Sequence, residues 1–280
     1  MSLSLPPLPA RRRAAAALAG TALLLPLAAC GSDADSGTKD EGRSASPSAS
    51  APQAPAADLT VLAAASLTDV FKTAGAAYEK SHPGTKLNFS FAGSQELIAQ
   101  IQNGAPADAL VTADTKSMDK VKADAEAPVV IAKNRLVIAT GEGNPEKVDE
   151  LKDLADPKLK VVLAAPEVPA GKYSKQVLDK QKITVKPVSQ EASVRAVLSK
   201  VQLGEADAGL VYKTDADSAP DKVDAVEIPD DQNAIAEYPA AALKDSKNAA
   251  AAKAFVAWLS GPEGQKILLE AGFQSPKPQA

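Results

Sequence analysis

Apolar and polar positions follow two rhythms along this chain, and the places where one gives way to the other are where polar chemistry collects. Leu59 to Ala65 is a short apolar run, the pattern of a short buried strand. Beyond it Leu67, Val70, Phe71, Ala74 and Tyr78 recur at helical spacing, which predicts a helix to about Lys80. Ser66 lies between the two, and Ser66-Leu67-Thr68-Asp69 has capping-box spacing, so Ser66 is expected as the N-cap. The same device repeats. Thr85 to Phe91 alternates as a strand, and Ala92-Gly93-Ser94 opens a helix with Leu97, Ile98 and Ile101 on one face. Asp108 to Ala113 reads as a third strand with a short helix from Asp114. Val129 to Ala139 reads as a longer strand carrying Lys133, Asn134 and Arg135.

Gly141 to Pro145 interrupts the pattern, Val148 to Leu154 reads as a short helix, and then the alternation restarts. Leu159 to Ala165 is a strand, and Glu167 to Gly171 leads into a helix with Tyr173, Val177 and Leu178 on one face. Thr184 to Val188 is expected as a strand, and Ser193 as the N-cap of a helix carrying Val194, Val197, Leu198 and Val201. Ala206 to Tyr212 is a strand ending in a tyrosine. Val223 to Ile228 and Ile235 to Leu243 complete the strands, and Ala249 to Leu259 and Pro262 to Ala271 form two terminal helices. Strands alternating with helices of this length predict an α/β fold with parallel sheets covered on both faces. The two runs predict two lobes with a cleft between them: 58–135 plus 240–280 in the first, 136–239 in the second. The crossings fall near Asn134 to Ala139 and Glu237 to Ala241. The terminal helices suit either lobe.

The first 57 residues belong to neither run. Arg11 to Arg13 form a basic start, and Ala14 to Ala29 is apolar but shorter than the ~20 residues of a membrane span, so residues 1–30 read as an export signal. The signal ends in Leu27-Ala28-Ala29-Cys30, with the only cysteine of the 280 residues. This resembles a bacterial lipobox, which implies a lipidated Cys30 and anchoring at the outer face of the cytoplasmic membrane. Residues 31–57 are rich in Ser, Ala, Asp, Gly and Pro, a composition that cannot bury enough apolar surface to order itself. A disordered tether is expected there, with a reach on the order of 30 Å. The net charge of -4 with scattered lysines excludes a basic stripe for nucleic acid. With one histidine and no cysteine beyond the signal, a metal-cation site is not expected.

A strand running into a helix start presents unpaired N–H groups and the positive end of a dipole, a natural place for an anion. Ser66 and Ser94 both occupy such a junction. From the first stretch alone, a plain capping role for Ser66 remains the simpler reading. Asp108 and Asp114 sit at a strand start and a helix start, where turn and cap roles outweigh catalysis. His82 precedes Pro83-Gly84 in a turn, and no Gly-x-Ser-x-Gly elbow occurs, so an envelope hydrolase finds no nucleophile with its base. No enzyme activity is expected.

Several motifs occur in an order that resembles the molybdate-binding proteins of bacterial ABC importers, within the type II periplasmic-binding-protein superfamily. They are Ala63-Ala64-Ala65-Ser66-Leu67-Thr68, Gly104-Ala105-Pro106-Ala107-Asp108, Val168-Pro169-Ala170-Gly171, Ser193-Val194-Arg195 and Gly209-Leu210-Val211-Tyr212. The resemblance runs from about Leu59 to Phe273. It implies a two-lobed fold, a molybdate or tungstate ligand with no cofactor, a permease and its ATPase as partners, and a monomer. It assigns anion contacts to the hydroxyls and amides of Ser66 and Ser94, the backbone N–H groups of Ala170 and Val194, and the hydroxyl of Tyr212. One departure is Ala92-Gly93-Ser94, where some members carry a run of serines. Receptors for sulfate or phosphate are the nearest alternative, and a structural adhesin a remoter one.

Overall fold

In the computed structural model, residues 56–276 are described; the export signal, Cys30 and nearly all of the tether lie outside them. Strand β1 (Asp58–Ala64) lies between two parallel partners, β2 (Lys86–Ala92) and β3 (Ala109–Val111). The connections are α1 (Thr68–Ser81) and α2 (Ser94–Gln102), which give the right-handed strand–helix–strand geometry its usual parallel sheet. A second parallel group consists of β5 (Val161–Ala164), β6 (Ser189–Glu191) and β7 (Ala208–Tyr212), connected by α4 (Pro169–Lys180) and α5 (Val194–Gln202).

Two long strands join these groups, and both run antiparallel to their neighbours. The first half of β4 (Val129–Gly141) pairs with β9 (Ile235–Ala242) from Val129↔Ala240 to Arg135↔Ile235. Its second half pairs with β7 from Leu136↔Tyr212 to Thr140↔Ala208, and with β8 (Val223–Glu227) on its other edge. β9 in turn pairs with β3. The order is β2-β1-β3-β9-β4-β7-β5-β6, with β8 off this path. The sheet is therefore mixed and not purely parallel: hydrophobic periodicity carries no strand direction, and the strands that cross between the groups return against the flow. Along β4 the pairing passes from β9 to β7 at Arg135–Leu136, and residues 235–240 pair with its first half.

Three local expectations are corrected. Ser66 is not an N-cap: Ala65–Leu67 forms a 3-10 turn, α1 starts at Thr68, and its N-cap Leu67 makes no side-chain cap. The segment 184–188 forms no strand. Ile183 and Val185 pack against the core from outside the ladder, and Pro187 lacks an N–H. Contact with β5 begins only where the Val188 N–H donates to the Val161 carbonyl at 2.8 Å, with paired residues from Ser189. Residues 148–150 are not helical, and a 3-10 helix covers Leu151–Ala155, closed by a capping box between Glu150 and Asp153. Two short helices, α3 (Thr115–Asp119) and α6 (Lys213–Asp217), complete the two groups.

The terminal helices α7 (Ala249–Ser260) and α8 (Pro262–Glu270) settle on the first group. Phe255 meets Phe71 at 6.4 Å and Tyr78 at 5.0 Å, both edge-on. Trp258 is partly buried, stacks 6.5 Å from Phe255 and donates its indole N–H to Glu263. The described residues all fall within one compact unit, Ser50–Ala280.

Candidate functional site: a neutral cavity at four helix starts

The strand ends of the two groups face each other, so the turns that follow them meet. Residues of five such turns line a single cavity: Ala64 to Ser66, Ala92 to Ser94, Val168 to Ala170, Ser193 with Val194, and Tyr212. All five residues singled out from the sequence are therefore together: Ser66, Ser94, Ala170, Val194 and Tyr212. Ala113, after β3, completes the wall. The volume is about 10 Å³, close to what a single water needs, whereas ligands of drug size occupy roughly 300–1,000 Å³. Only a small species fits.

The wall contains no Asp, Glu, Lys, Arg or His. Its polarity comes from helix starts, whose first N–H groups have no partner within the helix. Ser66 sits in the turn that enters α1, Ser94 is the first residue of α2, Ala170 follows Pro169 in the first turn of α4, and Val194 opens α5. At α5 the cap is as expected, with Ser193 Oγ accepting from the Ala196 N–H at 3.2 Å. That bond leaves the Val194 amide to the cavity. Four positive dipole ends thus converge without a formal charge.

Three hydroxyls add to the amides. Ser94 Oγ accepts the Ala113 N–H at 3.1 Å, so its own proton is free to donate. Ser66 Oγ lies 3.0 Å from the Tyr238 hydroxyl, and either can be the donor. When the phenol donates, the serine proton is available to the cavity. Tyr212 is 1% exposed and its hydroxyl has no hydrogen-bond partner among the described residues. A buried hydroxyl without a partner is costly, and its placement in the wall marks where an acceptor belongs. Burial pushes the pKa of both Tyr212 and Tyr238 well above the usual phenol value, so both keep their protons at neutral pH.

The other singled-out residues play structural parts. Asp114 caps α3 by accepting the Ser117 N–H at 2.7 Å. Asp108 accepts the Thr60 N–H at 2.7 Å and ties β1 to the segment after β9 through Ser246 and Asn248. His82 stacks on Tyr78 with centroids 3.9 Å apart and is absent from the cavity wall. Among the described residues no group of three or more His, Cys, Asp or Glu could hold a metal ion, and no helix is long and apolar enough to cross a membrane.

Residues of the two strand groups also touch around the cavity. Gln95 Nε2 donates to the Ala192 carbonyl at 2.8 Å, and Lys172 of α4 pairs with Asp114 at 2.7 Å. Gly93 lies so close to the Ala192 carbonyl oxygen that a Cβ there would run into it. Sequence reasoning missed Tyr238, Gln95 and Lys172, because their partners lie 172, 97 and 58 residues away.

Two α/β halves joined by crossing strands, with a small polar cavity where their helix starts face one another, define a solute-binding protein of the type II periplasmic class. The chain belongs to the bacterial extracellular solute-binding proteins, a family that matches residues 59–274. It is 40% identical to the molybdate-binding protein ModA of Mycobacterium tuberculosis over 262 residues, 92% of this chain and 97% of that one. It is 34% identical to ModA of Haemophilus influenzae over 235 residues, 79% of this chain and 92% of the relative. Among solved structures it resembles the periplasmic molybdate-binding protein of Azotobacter vinelandii, with a TM-score of 0.67 and 25% identity over 78% of this chain and all of that one.

Proposed function

We propose that this protein captures molybdate, and tungstate with it, outside the cytoplasmic membrane and delivers it to the permease and ATPase of an ABC importer. The observation that carries the reading is the cavity of donors: four helix starts, two serine hydroxyls and the unpartnered Tyr212 hydroxyl around one small space with no charged side chain in its wall. Ser66 and Ser94 bind through hydroxyl and amide, Ala170 and Val194 through their amides, and Tyr212 through its hydroxyl. The molybdate-binding relatives support this choice of ligand.

The physical reason is proton count. A dianion that is fully deprotonated at neutral pH has only acceptors to offer, and a wall of donors suits it. Hydrogen phosphate carries a proton and needs a carboxylate to take it, which the wall lacks. Each charge-assisted bond contributes about 1.5–3 kcal/mol, so five or more reach micromolar affinity or better after ordering costs. Molybdate and tungstate differ little in size, so such bonds separate them poorly. The wall carries no nucleophile with an adjacent base, and the relatives are binding proteins, which supports a receptor over an enzyme.

In this reading residues 58–135 plus 240–280 form one lobe and 136–239 the other, joined through β4 and β9, which pair with each other. The lobes close on the anion as a hinge. The mature receptor is a monomer held by a lipid on Cys30, with residues 31–57 as its tether. Calorimetric titration of the full chain tests the ligand. Molybdate is expected to bind at micromolar concentration or below with an affinity nearly constant between pH 6 and 9, while phosphate gives no heat. Binding of phosphate in place of molybdate would overturn the reading.

A further inference from the structure

Just behind the cavity wall, one cation joins three of its elements. Arg195 follows Val194 in the first turn of α5. Its Nε donates to Asp215 Oδ1 at 2.6 Å, and its Nη1 lies 2.7 Å from Asp69 Oδ2. Asp215 is fully buried in α6, and its other oxygen accepts the Tyr212 N–H at 3.3 Å. Asp69 belongs to the first turn of α1, three residues after Ser66. The Asp69 side chain is half exposed, and its other ion pair, with Lys72 at 3.8 Å, stays within α1. Burial works against the charge on Arg195, but the two carboxylates more than offset it and raise its pKa.

Three of the five proposed anion contacts thus lie next to groups held by a single guanidinium: Val194 precedes Arg195 in the chain, the Tyr212 N–H is bonded by Asp215, and Ser66 stands three residues before Asp69 at the entrance to α1. The arm to Asp215 stays within the second strand group. The arm to Asp69 spans from α5 to α1 and so crosses the cleft. The triad carries one net negative charge, so it does not draw in a dianion. Its contribution is geometric. A planar fork can hold two carboxylates in fixed directions at once, which a lysine ammonium on a flexible stem cannot.

We propose that Arg195 is a positioning residue for anion capture: it fixes the Val194 amide against Tyr212 through Asp215 and clips the closed cleft through Asp69, without touching the ligand. The proposal rests on the anion-receptor reading above.

Stopped-flow and calorimetric titration of molybdate into the wild-type chain, Asp69→Asn and Arg195→Lys tests it. Asp69→Asn removes the charge of the cross-cleft arm together with the exposed pair to Lys72, worth little at the surface, and leaves the buried Asp215 pair intact, so folding is preserved. It is expected to raise the dissociation rate and Kd about fivefold, the upper end for a partly exposed pair, with the ligand-free melting temperature unchanged. Arg195→Lys retains the charge and is expected to lose more than Asp69→Asn. Added salt should speed release from the wild type more than from Asp69→Asn. Wild-type Kd and release rate in Asp69→Asn would overturn the proposal while leaving the receptor reading intact. Full affinity in Arg195→Lys would reduce the role to charge and overturn it equally. Failure of the wild type itself to bind molybdate would overturn the receptor reading and the proposal with it.

Discussion

At the scale of single residues, the cavity is made by groups that keep a proton and have somewhere to send it. Tyr212 is the clearest case, since its hydroxyl is buried and unpartnered. Tyr212→Phe removes a donor that has no partner among the described residues, so the ligand-free melting temperature is expected to hold or rise slightly. Molybdate affinity should fall about 10- to 100-fold, the worth of one hydrogen bond to a charged group; calorimetry with unfolding of the same variant checks both. Ser66 and Ser94 were legible because each stands where a strand pattern gives way to a helical one, whereas Ala170, Val194 and Tyr212 entered as anion contacts through the resemblance to the molybdate-binding family. Ser66 was found for a reason the structure corrects, since its hydroxyl turns to Tyr238 and not to the helix cap. Tyr238 itself gave no signal: it is one apolar-patterned residue in a strand, and only the fold brings it 3.0 Å from Ser66. The Arg195 pairs were equally hidden, because their spacings in sequence match no local rule.

At the scale of elements, helix starts become a binding surface because the chain enters each through small residues. Ala65 before Ser66, Gly93 before Ser94, and Ala192 before Ser193 leave room for the turns of opposite groups to approach. Gly93 has an ordinary φ of -59°, so alanine costs it no backbone strain. The obstacle to a side chain there is the Ala192 carbonyl across the cleft. Gly93→Ala is therefore expected to leave the ligand-free stability unchanged and to weaken molybdate binding at least tenfold by holding the turns apart. Equal loss of ligand-free stability in urea unfolding would mean that the turns meet without a ligand. The pattern of apolar residues located seven of the eight α-helices and most strands because burial imposes it directly, but it gave no sign of the short α6 after Tyr212. It misplaced the strand expected at 184–188, where apolar side chains pack without joining the ladder. It also missed the 3-10 turn at Ser66, whose three residues are too few to establish a period.

At the scale of the whole molecule, two parallel groups joined by antiparallel strands create facing turns, and the facing turns create the site. The doubling of the pattern announced two halves. Which way the joining strands run is set by topology, and no residue pattern encodes it. The half-sheets stay continuous through β4, and the contacts of Gln95, Lys172 and Arg195 join them on either side of the cavity. A ligand that bonds to both halves stabilises the state in which those contacts exist. The central claim is that a tetrahedral dianion without a proton is that ligand. Thermal unfolding of the full chain with molybdate, tungstate, sulfate or phosphate at millimolar concentration tests it most directly. A ligand at a thousand times its Kd adds about 4 kcal/mol, several degrees in a domain of this size. Molybdate and tungstate are expected to raise the midpoint by at least that much, and phosphate not at all. A midpoint indifferent to molybdate and tungstate would contradict the account.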